Sequence, residues 1–242
     1  MRILLTRPRL DAVDTARALE ARGHQVLIEP VLDIVLEAPE GLDLQDVQAL
    51  LATSRNGVRA LAAATSRRDL PLMAVGRSTA ALARECGFPD VRDADGDVDD
   101  LTRLAVAELD PAAGPLLHAA GAETAGDLKG TLAESGFQVR REVLYRAVAN
   151  DRISADAAAA LTARRIDAVL FFSPRSAEAF ARVLDNMGLT SAAESLVAFC
   201  ISPRAAEMAR RLPYREVVSA PRPNQDALLS CVDGHAASER HR

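Results

Sequence analysis

Residues Leu50-Leu51-Ala52-Thr53-Ser54-Arg55-Asn56-Gly57-Val58-Arg59-Ala60-Leu61 read as a buried strand that runs out into a polar turn and straight into a helix. The layout returns at Ala168-Val169-Leu170-Phe171-Phe172-Ser173-Pro174-Arg175-Ser176-Ala177-Glu178-Ala179-Phe180, with Ser173 in the place of Ser54 and Phe180 in the place of Leu61. Downstream, Met73 to Leu82 answers to Phe199 to Met208, and Asp99-Asp100-Leu101 to Gln225-Asp226-Ala227. A repeated unit of this length is half a protein rather than a solenoid module. At 242 residues the chain can bury two separate cores.

In each copy the first backbone N–H groups of the helix lack an internal partner, and the helix dipole favours negative charge there. Two lobes carrying matching turns predict a shared cleft for a ligand with carboxylates or phosphates on both sides. Ser54 and Ser173 also fit a plainer role as helix caps. Both readings stand on the sequence alone.

Taken in order, the pattern predicts a strand from Ile3 to Thr6, a helix in which Val13, Ala16, Leu19 and Ala21 keep helical spacing, and a stop at Gly23. A strand at Val26-Leu27-Ile28 ends at Pro30, and Val31 to Leu36 follows as a second extended run ending at Pro39. That run comes too soon for an intervening helix, so it reads as a connector leaving the first lobe. Strands at 49–52, 71–75, 91, 115–118 and 137–143 then alternate with helices at 57–64, 79–86, 99–109 and 124–135, with a turn at 119–122. This alternation specifies a doubly wound parallel sheet. Leu144 to Val148 is extended again and is expected to pair antiparallel with Leu32 to Leu36 as the return connector.

Ser154 caps a helix at 155–164, and the second copy adds strands at 168–172, 196–201 and 216–219 with helices at 175–187, 205–212 and 225–232. These strands need partners, which the unfinished N-terminal lobe supplies. The expected organisation is therefore lobe 1 from residues 1–32 and 150–232, lobe 2 from 38–142, a connector ladder at 33–37 and 143–149, and a disordered polar tail at 233–242 holding His235 and His241. Removing that tail is expected to be silent.

The formal net charge of −5 excludes a broad nucleic-acid surface, so any anion site is local. Cys86, Cys200 and Cys231 have no metal-ligand spacing and read as small buried hydrophobes carrying reduced thiols. No leader precedes the first strand and no apolar run approaches the roughly 18 residues of a membrane span, so a cytoplasmic protein is expected. No Gly-x-Gly-x-x-Gly follows a strand, no Walker loop is present, and Ala74-Val75-Gly76-Arg77-Ser78-Thr79 has one glycine where a dinucleotide fingerprint needs three. No nucleophile elbow occurs either. His118, at a strand end, faces a cleft or serves the structure. The cluster Asp93, Asp95, Asp97, Asp99 and Asp100 lacks the spacing of a calcium loop and reads as a solvated loop with a helix-capping end. Tyr145 lies where the chain crosses between lobes, and its phenol is a neutral donor at pH 7. It is either an interface aromatic or a chemical group.

Thr6-Arg7-Pro8, Glu29-Pro30, Thr53-Ser54-Arg55-Asn56-Gly57-Val58, Ala74-Val75-Gly76 with Thr79-Ala80, Leu128 to Gly136 leading to Tyr145, and Phe172-Ser173-Pro174 together resemble the uroporphyrinogen-III synthase family. The resemblance rests on the order and spacing of all of them up to about Leu229, since each motif is weak alone. It implies two flavodoxin-like α/β lobes joined by a two-stranded antiparallel ladder, the first lobe made of both chain ends. It implies an enzyme that closes the linear tetrapyrrole hydroxymethylbilane to uroporphyrinogen III, with ring D inverted, water lost, and no cofactor or metal.

By the resemblance, departure of the terminal hydroxyl leaves an azafulvene cation, ring D attacks through its substituted carbon, and a spiro intermediate opens and recloses. Tyr145 matches the tyrosine that hydrogen-bonds the departing hydroxyl. Carboxylate arms are implied to lie on Thr6 and Arg7, Ser54, Asn56 and Gly57, Gly76, Ser78 and Thr79, Gly121 and Ala122, Ser173, Arg175 and Ser176, and Ser202 and Arg204, largely through backbone N–H groups. The family's Gly-x-x-Thr turn in the second copy reads Ser202-Pro203-Arg204-Ala205 here, which removes a threonine hydroxyl and leaves Arg204 as an ion-pairing substitute. A monomer is expected, with a transient contact to the preceding pathway enzyme as the one further partner. The alternative is a two-lobed small-molecule sensor without catalysis, because a fold does not fix a function.

Overall fold

A computed structural model describes residues 1–37, 41–123 and 126–240. The chain opens with β1 (Arg2–Leu5), α1 (Arg9–Glu20), β2 (Gln25–Ile28) and β3 (Leu32–Leu36). There follow β4 (Ala49–Ala52), α2 (Arg55–Ala64), β5 (Leu72–Ala74), α3 (Arg77–Glu85), β6 (Val91–Asp93), α4 (Val98–Glu108), β7 (Leu116–Gly121), α5 (Leu128–Glu134) and β8 (Val139–Ala149). The chain continues with α6 (Ala155–Thr162), β9 (Ala168–Phe171), α7 (Pro174–Asn186), β10 (Val197–Cys200), α8 (Pro203–Ala209), β11 (Glu216–Ser219) and α9 (Gln225–Arg240). It divides into two compact units, residues 1–33 with 148 onward, and residues 34–147.

The first unit holds a parallel sheet in the order β11-β10-β9-β1-β2. Its strands alternate between two cores, as a sheet covered on both faces requires. Leu4, Val169 and Ala198 enter one core, while Ile3, Leu5, Leu170 and Phe199 enter the other. In the second unit the order is β3-β8-β7-β4-β5-β6. Leu50, Leu72 and Leu117 point into one core there, and Ala49, Leu51, Met73 and Leu116 into the opposite one.

The internal echo is now a topological fact. Matching β4 to β9, β5 to β10, β6 to β11, β7 to β1 and β8 to β2 gives the two sheets the same spatial order. The chain simply enters them at different strands. Each sheet therefore has a point where successive strands leave in opposite directions, between β4 and β7 in one unit and between β1 and β9 in the other. Such switch points, at the carboxyl ends of the strands, are where open α/β sheets bind ligands.

The connector strands pair side by side at the sheet edge. The Glu37 N–H bonds the Leu144 carbonyl at 2.7 Å and the Asn150 N–H bonds the Val31 carbonyl at 3.0 Å, so residue numbers run in opposite senses and the pair is antiparallel. The expected break between a strand at 137–143 and a connector from Leu144 is absent, because β8 is continuous over Val139–Ala149. It absorbs the change of role through an irregularity in its register with β7, where Ala120 pairs Val143 but Gly121 pairs Tyr145.

Other expectations are corrected. On α1 the covered face is Ala12, Thr15, Ala16 and Leu19, spaced by about one turn, while Val13 is 37% exposed and Ala21 is exposed. The turn expected at 119–122 is strand through Gly121. Helix α5 starts at Leu128, because Gly126 at φ +85° breaks any earlier turn and the Asp127 carboxylate accepts the Gly130 N–H at 2.9 Å. The expected helix start at Thr124 lies outside the described residues, as do Pro39, the boundary at residue 38 and His241.

The largest correction is the C-terminus, where α9 continues to Arg240 instead of dissolving after Val232. Ala236 is buried, one turn on from buried Val232. The Asp233 carboxylate meets His24 Nε2 at 3.0 Å and Arg22 at 3.2 Å, and Arg215 pairs with Glu239 at 2.6 Å. His235 stacks edge-on against Phe199 with centroids 5.6 Å apart. A sparse apolar signal among polar neighbours is enough to hold the helix when the polar residues find partners.

Candidate functional site

At the switch point of the second unit, β4 ends in Thr53-Ser54 and α2 begins. Ser54 has extended backbone angles and its Oγ accepts the Gly57 N–H at 3.0 Å, so it caps the helix. Gly57 lets this first turn press onto the neighbouring strand: a Cβ there would lie 2.7 Å from the Ala119 carbonyl oxygen. Next to it, β7 ends at Gly121, also bare of side chain because Tyr145 occupies the space.

Tyr145 reaches this corner through the β-bulge in β8. Leu144, fully buried, and Tyr145, half-buried, both pack on the same core as Leu50 and Leu117. Adjacent residues of a regular strand point to opposite faces, whereas a bulge sets two on one side. The phenol oxygen consequently lies 2.8 Å from Ser54 Oγ, across 91 residues of sequence.

On the other face of the sheet His118 is 3% exposed, and its Nε2 meets Thr53 Oγ1 at 3.2 Å. Burial, with the positive Arg141 nearby, pushes the imidazole down to about 4, so it is neutral at physiological pH. Arg141 itself donates to the carbonyls of Gly121 at 2.6 Å and Ala122 at 3.2 Å. Sequence reasoning missed Arg141, and its only trace is the alignment of two strands whose register could not be read.

Four of the six expected strand-to-helix corners share one geometry. Ser54, Gly76, Ser173 and Ser202 all precede their helices at φ between −151° and −170°. Extended backbone of this kind suits any residue, so Ser202 takes the place of a glycine without strain, and its Oγ accepts the Ala205 N–H at 3.3 Å. Ser173 and Ser176 cap α7 reciprocally, the Ser173 Oγ accepting from the Ser176 N–H at 3.1 Å, with Ser176 buried. Both serines therefore serve as caps, the plainer of the two readings of the sequence, and the hydroxyl of Ser54 touches Tyr145 as well.

Not every expected ligand presents its side chain. Thr6 is fully buried and its hydroxyl donates to the Leu170 carbonyl at 2.7 Å, across the switch point of the first unit. Arg7 turns into a network: its Nη1 donates to Thr15 Oγ1 at 2.8 Å and to Gln225 Oε1 at 3.1 Å, and its guanidinium sits 4.2 Å above the Phe172 ring. Asp11 is 3.7 Å away and buried. Thr79 is buried, Ser78 and Arg204 are exposed, and Asn56 accepts from Arg59 at 2.8 Å. Arg175 is half-buried in the first turn of α7.

The acidic stretch is local structure. Asp97 and Asp100 form a capping box on α4, Asp95 pairs with Arg77 at 2.6 Å, and Asp100 pairs with Arg103. Among the described residues no cluster of three or more His, Cys, Asp or Glu is arranged to hold a metal ion. No described helix is long and apolar enough to cross a membrane. All three cysteines are free thiols, with Cys200 fully buried.

A crystal structure of uroporphyrinogen-III synthetase from Helicobacter pylori 26695 shares the fold with a TM-score of 0.63 at 18% identity, over 96% of this chain and 98% of that one. A substituted uroporphyrinogen III synthase from the extremely thermophilic bacterium Thermus thermophilus aligns over 100% of both chains with a TM-score of 0.55 at 21% identity. No curated protein sequence matches significantly. The family model described as "Uroporphyrinogen-III synthase HemD" matches residues 13–230, both units and the strands that connect them, and the chain belongs to that family, enzymes of tetrapyrrole synthesis.

Proposed function

We propose that this chain cyclises hydroxymethylbilane to uroporphyrinogen III, acting as a hydro-lyase that removes the terminal hydroxyl as water and closes the ring with its last pyrrole inverted. The observation that carries the proposal is the Tyr145 hydroxyl held 2.8 Å from Ser54 Oγ at the switch point of the second unit. In this reading the phenol gives its proton to the departing hydroxyl, the C–O electron pair leaves with water, and the proton released on ring closure restores the phenol. General-acid help of this kind is worth about 10²-fold or more.

Holding one conformation of a flexible bilane is the other half of the task, since an effectively intramolecular closure depends on orientation. Carboxylate arms are assigned to the corners at Ser54 to Gly57, Gly76 to Thr79 and Gly121-Ala122 of the second unit, and to those at Ser173 to Ser176 and Ser202 to Arg204 of the first. Each supplies helix-start or strand-end amides, or a nearby Arg. Thr6 and Arg7 enter this proposal as supports of the first unit's switch point and not as ligands. The enzyme is read as a cytoplasmic monomer that needs no cofactor.

The test is to supply freshly generated hydroxymethylbilane and to separate type I from type III porphyrin isomers. Type III product supports the proposal, and type I product alone rejects it. Tyr145→Phe is expected to lower turnover by about 10²-fold with the fold retained, and full activity would remove Tyr145 from the chemistry.

A further inference from the structure

Ser54 makes two contacts at one oxygen, and their combination has a direction. Its Oγ accepts the Gly57 N–H at 3.0 Å and lies 2.8 Å from the Tyr145 oxygen. A single proton lies between the two hydroxyls, from one or the other. The Gly57 amide is at the positive end of the ten-residue helix α2. Oγ has a second lone pair and could accept from the phenol as well, but the phenol proton would then be spent on the serine. A proton on Oγ pointing toward Tyr145 avoids this, and an accepted hydrogen bond makes the serine O–H a better donor.

We infer that Ser54 is the positioning residue of Tyr145: it donates to the phenol oxygen, so that the phenol's own proton is left to point at the substrate's departing hydroxyl. The inference rests on the proposed role of Tyr145 and adds a residue to it. The relay runs from the Gly57 N–H to the Ser54 hydroxyl to the Tyr145 hydroxyl, and when Tyr145 gives up its proton the Ser54 O–H, polarised by the Gly57 N–H behind it, stabilises the oxygen left behind. The bare surface of Gly121 supports the ring from below, an added Cβ there lying 3.0 Å from the phenol oxygen. The Ser54 hydroxyl thus acts through Tyr145, and a carboxylate arm at this corner is left to the other amides of the turn, since the Gly57 N–H is already given to Ser54 Oγ.

The experiment measures kcat and KM for type III product in the full chain for Ser54→Gly, Ser54→Thr, Tyr145→Phe and the double variant Ser54→Gly/Tyr145→Phe. Glycine is nearly as good a helix cap as serine, so the first change removes the hydroxyl while sparing the helix. Expected are a fall in kcat of about tenfold for Ser54→Gly with KM held, recovery in Ser54→Thr, and no additional fall when the change is made on Tyr145→Phe. An equal fall in both backgrounds would show a structural role and overturn the inference. So would a raised KM with kcat kept, which would make Ser54 a substrate ligand. An impaired Tyr145→Phe beside an unimpaired Ser54→Gly rejects the inference alone, whereas a fully active Tyr145→Phe rejects the reading beneath it as well.

Discussion

Gly121 lies directly under the ring of Tyr145: a Cβ on residue 121 would be 2.8 Å from Cζ and 2.9 Å from Cε2. No real Cβ tolerates such a separation, so one group has to move. The tyrosine side chain can swing where a strand backbone cannot. Gly121→Ala is therefore expected to leave a folded protein whose phenol has left Ser54, with kcat reduced toward the level of Tyr145→Phe and a thermal midpoint within a few degrees of the parent. Full activity in that variant would show that the ring has room to spare.

Gly57 is confined in a different way, since the atom 2.7 Å from its missing Cβ is the backbone carbonyl oxygen of Ala119. Alanine improves helix propensity by about 1 kcal/mol. Overpacking against a buried strand costs about 1–3 kcal/mol, and here the obstacle cannot rotate away. The clash should win. Gly57→Ala is expected to lose up to roughly 2 kcal/mol in denaturant unfolding, the upper end of the difference of those two terms.

His118 makes stability depend on pH. The folded state holds the imidazole neutral down to about 4, against 6.5 for the free side chain. Between those values the unfolded chain binds the extra proton, so this contribution is complete above pH 6.5 and is lost as pH falls toward 4. The difference amounts to about 3 kcal/mol at most. His118→Gln, which can keep a bond to Thr53, should show a smaller drop in stability between pH 7 and pH 4.5 than the parent when both are unfolded in urea.

Truncation after Val232 should not be silent. It removes the Asp233 contacts to His24 and Arg22, the His235 ring on Phe199, the Arg215 pair and the buried Ala236. A hydrogen bond and an aromatic contact each contribute about 1 kcal/mol. The expected loss is therefore about 2–3 kcal/mol, read from urea unfolding, and an unchanged midpoint would show that the last turns of α9 carry no weight.

Much of the fold was legible because it is written in short-range pattern. Runs such as Ala49 to Ala52 and Ala168 to Phe171 are apolar throughout, as strands covered on both faces must be. Ser54 and Ser173 marked helix starts by the chemistry of a single side chain. The failures have their own causes. Counting apolar residues overlooked Thr15 on α1 and so rotated its buried face. At α9 a polar surface hid partners that lie on β2, β10 and β11 or just beside them, which no local count could find.

The sequence by itself determined two similar α/β units and the serine-led corners at their strand ends, because periodicity and capping are local properties of the chain. Tyr145 was marked by its place where the chain crosses between lobes and by the family resemblance. Tertiary structure decided which of those corners carries Tyr145. A one-residue bulge opposite Gly121 turns Leu144 and Tyr145 to the same face, and the pairing of β7 between β4 and β8 brings Ser54 to the phenol. Register between strands is set by packing across the whole sheet, and a shift of one residue reverses every side chain, so that choice exists only once the sheet has formed.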